Sequence, residues 1–340
     1  MADFWLKRTV YYNNMGNFDY LEINGTHAEM GHAIGARFKD DIQRVVASRQ
    51  KRIAGYEDYL RQTGPFFLAA KEKFPDLIDE MTEVARAAGV GVADYFFLNN
   101  REVGPKGGSD HCTVAVSFGK NGAVIGHNED WNGTTPDSLY ILKATIGGTT
   151  FMGLQYKALV PGVAVTTNNW GLTQCINELN QTVQAGVPKN FVARAILECK
   201  TLDEAESIIL NTKKASGYNH VLIQGQEIRN IEIAGDKVAV EKIKGKPYVH
   251  TNHYLSLSLK SLEKFHTKSS TTRYERAKEL IKPGMTAAEM ETLLSDKRNK
   301  KFPISRNGAT LGSFVALPEE KKVYINYGPP GRGKFKKYHL

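Results

Sequence analysis

The sequence predicts an α+β protein, with two sheets covered by helices. Three observations carry this. The first third has helical periodicity, strand–turn–strand units dominate from Cys112 onward, and a pair of helical stretches separates an early block of strands from a later one. Helices, strands, helices and strands in that order suit sheets covered by helices better than a regular βα alternation does.

The elements follow in order. Thr26-His-Ala-Glu29 is a capping box that opens a helix, and Met30, Ala33, Ile34, Phe38 and Ile42 then recur at helical spacing. Further helices are expected at about 41–62, 66–73 and 75–89, and Gly104 to Asp110 is a loop by composition. Thr113–Phe118 and Ala123–Gly126 form a hairpin about an Asn-Gly turn. Tyr140–Ile146 with Thr149–Leu154, and Gly162–Thr167 with Leu172–Ile176, form two more. Helices near 188–199 and 203–213 precede strands at Val221–Gln224, Ile228–Ile233 and Val238–Ile243. Helices near 272–281 and 286–295 precede a final pair, Ala309–Leu317 and Lys322–Tyr327. With no repeat and no low-complexity linker, one compact domain is expected, in which the helical segment 1–111 packs on sheets formed by 112–340.

Composition narrows the function. Of 340 residues, 41% are hydrophobic, enough for a full core. No apolar run reaches membrane-spanning length, and the N-terminus lacks a signal-peptide pattern, so a cytoplasmic enzyme without a membrane partner is expected. The net charge of +9 is dispersed, without an aromatic-interleaved basic stripe, and does not point to nucleic acid. Cys112, Cys175 and Cys199 are too few and too scattered for a disulfide framework, and there is no CxxC pair for zinc. Cys175 and Cys199 read as buried core. His250 and His253 do not form a metal pair, His220 reads as a satisfied strand histidine, and no metal or organic cofactor is expected.

Cys112 is different: it opens the first strand directly after a Gly-rich loop. Were the bond before it cut, its α-amine, with a pKa of about 7.7–8.0, would serve as general base beside a thiol of about 8.5. One residue would then supply nucleophile and base. Periodicity alone leaves the alternative of a buried strand cysteine open.

The run Cys112-Thr-Val-Ala-Val, with Asn121-Gly-Ala-Val-Ile-Gly-His-Asn-Glu-Asp-Trp131, resembles the start of the mature large subunit in the acyl-coenzyme A:isopenicillin N acyltransferase family, a cysteine branch of the N-terminal-nucleophile hydrolases. Gly25–Gly35, Phe97–Glu102, Gly162–Leu172, His250-Thr-Asn-His-Tyr254 and Ser305-Arg-Asn-Gly-Ala-Thr-Leu311 resemble further family segments, in family order. The resemblance implies a four-layer αββα sandwich and self-cleavage of the His111–Cys112 bond. It also implies acyl transfer or hydrolysis on a small N-acyl amide or acyl thioester through a thioester on Cys112. Asp130 matches the carboxylate near the new amine and Asn252 the oxyanion donor, a duty worth about 2.7–4 kcal/mol. Arg306 matches an arginine that pairs with nearby carboxylates. Two departures stand out: His111 replaces glycine before the nucleophile, and the extra Asn307 leaves Arg306 and Asn307 competing for one role.

Trp131 and Tyr156 are candidates to line an acyl pocket, the alternative being ordinary core. Rival functional readings are a strict hydrolase of the choloylglycine hydrolase and penicillin V acylase type, against which the 111-residue leader argues, an inactive binding protein on the same fold, and an unprocessed thiol enzyme.

Overall fold

The computed structural model describes residues 10–12, 17–104, 112–179, 183–263, 265–331 and 333–340. His111 and most of the Gly-rich loop lie outside them, and so does the expected cleavage site.

Two short strands come first, β1 (Val10–Tyr12) and β2 (Asp19–Asn24). Six helices follow: α1 (His27–Arg37), α2 (Lys39–Arg52), α3 (Tyr56–Gln62), α4 (Gly64–Lys73), α5 (Pro75–Ala88) and α6 (Val92–Asn99). After the loop come β3 (Thr113–Gly119), β4 (Gly122–Asp130), β5 (Leu139–Ile146), β6 (Thr149–Tyr156), β7 (Val165–Asn168) and β8 (Thr173–Asn177). Helices α7 (Lys189–Ile196) and α8 (Leu202–Leu210) lead to β9 (Asn219–Gln224), β10 (Glu227–Ala234), β11 (Lys237–Lys244) and β12 (Tyr248–His250). The chain ends with α9 (Leu257–Lys260), α10 (Lys268–Leu280), α11 (Ala287–Leu294), β13 (Thr310–Leu317), β14 (Lys322–Tyr327) and β15 (Lys336–His339).

The strands form two sheets. One has the order β1-β2-β5-β6-β7-β8-β9-β10-β11, the other β12-β3-β4-β13-β14-β15. The pairing of β2 with β5 is parallel and the remaining pairs are antiparallel. Helices α10 and α11 pack on the smaller sheet, and α1 and α8 on the larger. The sheets meet each other through β3 with β8 and β13 with β6, which gives the αββα layering.

Parity within the strands explains the two cores. On β3, β4 and β13, Val114, Val116, Ile125, Phe314 and Ala316 join the core between the sheets. Their neighbours Ala115, Val124 and Val315 join the core under α10 and α11, with Met290 and Leu294. Successive side chains point to opposite faces, so a strand covered on both sides is apolar throughout. Full burial of a side chain such as Phe314 stabilises by about 1.5–3 kcal/mol.

Several expected features are present. The Thr26 hydroxyl accepts from the Glu29 amide at 3.3 Å, and the Glu29 carboxylate accepts from the Thr26 amide at 2.7 Å. The second hairpin turns where expected, through Gly147-Gly148, both with positive φ, while the first turns one residue earlier than the expected Asn-Gly, through Lys120-Asn121, because Gly122 already pairs with Gly119. Gly31 and Gly35 lie on one face of α1, where a Cβ would come within 2.1 Å of the Glu80 carbonyl and 2.3 Å of the Val84 carbonyl. The glycine spacing therefore serves close contact between α1 and α5.

Other expectations are corrected. Segment 1–111 is not only helical, because β2 enters the larger sheet. The helix expected at 41–62 is broken, since α2 ends at Arg52 and Gly55 adopts a left-handed φ of 70°. In the third hairpin the strand begins at Val165 rather than Gly162. Gly162, at φ 99°, lies against the α7 backbone, where a Cβ would be 2.9 Å from the Ala193 carbonyl. No helix among the described residues is long and apolar enough to cross a membrane.

Candidate active site

The topology of the smaller sheet brings four strand ends together. Cys112 precedes β3, and β4 runs back beside it so that Asn128 pairs with Thr113. On the other side His250 of β12 pairs with Val114, which places Asn252 just beyond the start of β3. Across β4, Thr310 at the start of β13 pairs with Asp130. Cys112, Asp130, Asn252 and Arg306, far apart in sequence, thus gather at one edge.

Parity then sorts them between two faces. The Cys112 side chain, 3% exposed, looks into the space between the sheets. Its Sγ lies 3.6 Å from Glu129 Oε2. The same oxygen is 2.8 Å from His127 Nε2, and Glu129 Oε1 accepts from the Tyr156 hydroxyl at 2.6 Å. Trp131 meets Tyr156 edge-on at 5.2 Å, and the Arg101 guanidinium sits 4.4 Å from the Trp131 ring centroid. Cys112, Glu129, Trp131, Tyr156, Glu178 and Tyr218 line a pocket with about 250 Å³ of empty volume. Trp131 and Tyr156 are therefore pocket wall as well as core. A wider groove beside α10, lined by residues such as Thr271, Glu275 and Arg298, contains none of these side chains.

Asp130 and Thr113 face the other way, toward α10. There Arg273, fully buried, donates through Nη1 to the Cys112 carbonyl and to Thr113 Oγ1, each at 2.7 Å. Its Nη2 donates to Asn252 Oδ1 at 2.9 Å, and its Nε to Ser269 Oγ at 3.3 Å. Burial pushes this guanidinium down to about 10, partly offset by the Asp130 charge. Asp130 is fully buried, with the Thr310 hydroxyl of β13 beside its carboxylate. Burial raises its carboxyl to about 6, while the Arg273 and Arg306 charges pull it back toward the ordinary range. Arg306 Nη1 lies 3.9 Å from Asp130 Oδ2, whereas Asn307 is exposed. Of the two competitors, Arg306 is the one that faces the carboxylate.

Asn252 is held at three points. Its amide N–H donates to Ser270 Oγ at 2.8 Å, its Nδ2 to the Glu178 carbonyl at 3.2 Å, and its Oδ1 accepts from Arg273. His253 Nδ1 is 2.9 Å from the same Ser270 hydroxyl, so it braces Asn252 indirectly. His250 turns away to Glu232 at 2.9 Å. His220 is buried, with Nδ1 3.1 Å from Gln174 Oε1, and burial lowers its pKa to about 3. Burial likewise pushes the Cys175 and Cys199 thiols up, away from the thiolate form.

Sequence reasoning missed Arg273, His127 and Glu129. The last two carried a signal: they lie two apart on β4, on the face that bears Ile125. Arg273 carried none beyond its place on a helix.

A sequence model of the acyl-coenzyme A:6-aminopenicillanic acid acyl-transferase family matches residues 117–332, which include Asp130, Trp131, Tyr156, Asn252 and Arg306 and begin after Cys112. A β-alanyl-dopamine/carcinine hydrolase of Drosophila melanogaster is 25% identical over 221 residues. That alignment covers 56% of each chain, so this chain spans about half the length of that relative. A mutant conjugated bile acid hydrolase of Clostridium perfringens superposes with a TM-score of 0.45 and 12% identity, over 68% of this chain and 92% of that one. Penicillin V acylase of Agrobacterium tumefaciens gives 0.36 and 10%, over 64% and 82%. The family match spans more than half of the sequence, and the chain belongs to the acyl-coenzyme A:6-aminopenicillanic acid acyl-transferase family.

Proposed function

We propose that this protein is a self-processing cysteine amidohydrolase or acyltransferase that acts on small N-acyl amides. The observation that carries the reading is the convergence on Cys112. Its thiol faces a pocket, its carbonyl is held by Arg273, and Asn252 is fixed by that same guanidinium.

Cleavage of the His111–Cys112 bond gives Cys112 a free α-amine. The thiol then attacks the substrate carbonyl and passes its proton to that amine. A carboxamide NH2 has two hydrogens. The Glu178 carbonyl engages one Asn252 N–H, and the other stabilises the tetrahedral oxyanion. Collapse expels the substrate amine, which takes the proton from the α-amine of Cys112 and leaves a thioester. Water resolves the thioester in hydrolysis, and an acceptor amine resolves it in transfer. Asp130, with Arg306 and Arg273 beside it, holds the backbone end of Cys112 and its new amine.

The β-alanyl group in the fly relative's name makes a β-alanyl amide the first substrate to try. Incubation with a β-alanyl amide, followed by mass spectrometry of the quenched protein, tests this. An acyl adduct on Cys112 together with amine release is expected. Amine release with no adduct, undiminished in Cys112→Ala, would contradict it.

A further inference from the structure

We propose that Cys112, His127 and Glu129 form a site for a borderline-soft divalent cation, zinc above all, whose occupancy blocks the nucleophile. The blocking rests on the role of Cys112 proposed above; the binding does not.

The three side chains are buried, and their ligand atoms all lie within 4.8 Å of one another. Thiolate, imidazole and carboxylate are the donors that zinc takes, at about 2.3, 2.0–2.1 and 2.0–2.2 Å. Tetrahedral geometry at those lengths separates the donor atoms by roughly 3.3–3.6 Å. The distance from Cys112 Sγ to Glu129 Oε2 is already 3.6 Å. The 2.8 Å between His127 Nε2 and Glu129 Oε2 needs to open by about 0.5 Å, which replaces a hydrogen bond with two metal bonds.

The surroundings suit a cation. The Tyr156 hydroxyl donates to the other oxygen of Glu129 and fixes its orientation, as outer partners of metal carboxylates do. Cys112 and Glu129 also line the pocket between the sheets. Once the His111–Cys112 bond is cut, the α-amine and thiolate of Cys112 together chelate the ion and complete four protein ligands. Affinity is therefore higher in the cut chain than in an uncut one. Binding releases the thiol proton and ties up the sulfur lone pair that would attack a carbonyl.

The test uses the full chain stripped of metal with a chelator and titrated with zinc chloride in a calorimeter, with turnover followed in parallel. One zinc per chain, loss of turnover and its return on adding chelator are expected. His127→Gln and Glu129→Gln should each weaken binding at least tenfold, with circular dichroism unchanged. Cobalt(II) gives a separate reading: a thiolate-to-cobalt charge-transfer band should appear, and should vanish in Cys112→Ala. The absence of stoichiometric binding, a cobalt spectrum without that band, or full turnover with zinc bound would each overturn the proposal. Alkylation of Cys112 distinguishes the two ideas. If iodoacetamide abolishes turnover while zinc fails to bind, the metal site falls and the nucleophile stands.

Discussion

Arg273 donates to Asn252 Oδ1 at 2.9 Å while it holds the Cys112 carbonyl at 2.7 Å, so one buried cation fixes the distance between the backbone of the proposed nucleophile and the proposed oxyanion donor. It also settles which way the carboxamide points, because a guanidinium only donates and must face the carbonyl oxygen of Asn252. Lysine keeps the charge but not the fork. Arg273→Lys should therefore lower kcat about 10²-fold with a smaller change in KM, as loss of one oxyanion donor does. In an Asn252→Ala background the same change should cost little, because the two residues act as a unit. Steady-state kinetics on the four proteins of that cycle check this, and additive losses would show that Arg273 acts elsewhere.

A buried network ties the two sides of the expected cleavage point together. Arg194 of α7 pairs with Glu80 of α5 at 2.7 Å and with Glu198 at 2.8 Å. His27 of α1 lies 3.0 Å from Glu80 and 3.5 Å from Glu198. Hydrogen bonds to Glu198 and Glu80 raise His27 to about 9, against burial and the Arg194 charge. The folded value is above the ordinary 6.5, so the contribution is complete below about pH 6.5 and is lost as pH rises through about 9. Melting temperature should fall over that interval more steeply in the wild type than in His27→Gln. Parallel curves would remove His27 from the network.

Gly31 tests the close contact of α1 with α5. Its added Cβ would meet backbone, the Glu80 carbonyl at 2.1 Å, and backbone cannot swing aside as a flexible side chain can. Gly31→Ala should destabilise the protein by about 1–3 kcal/mol even though alanine is the better helix former. Urea denaturation measures it; an unchanged or raised midpoint would mean that the helices separate at no cost.

Much of this was legible in the sequence, for physical reasons that differ by residue. The Thr26 capping box and the Gly147-Gly148 turn depend on contacts only a few residues apart, and they stand where the sequence put them, while the Asn-Gly turn is displaced by one residue. The gathering of Asp130, Asn252 and Arg306 beside Cys112 came from family resemblance, since strand order cannot be read from periodicity. Strand β2 was missed because β5, the partner that carries it into the larger sheet, lies more than a hundred residues away, and its other partner, β1, is only three residues long. Arg273 was missed because on α10 it reads as a surface arginine, and only the packed fold shows that its face is buried. Glu129 and Asp130 are adjacent in sequence yet serve opposite faces of one sheet, Glu129 beside the thiol and Asp130 beside the arginines. Only the strand's position between two layers lets both faces contribute to the candidate site.

The central claim is that Cys112 becomes a chain terminus and attacks from there. Intact mass and N-terminal sequencing of the purified wild type and of Cys112→Ala test it most directly. The account predicts that the wild type splits into residues 1–111 and 112–340, the larger piece beginning Cys-Thr-Val-Ala, and that Cys112→Ala stays whole and inactive. A wild-type chain that turns over substrate as a single uncut 37.8 kDa species would contradict it.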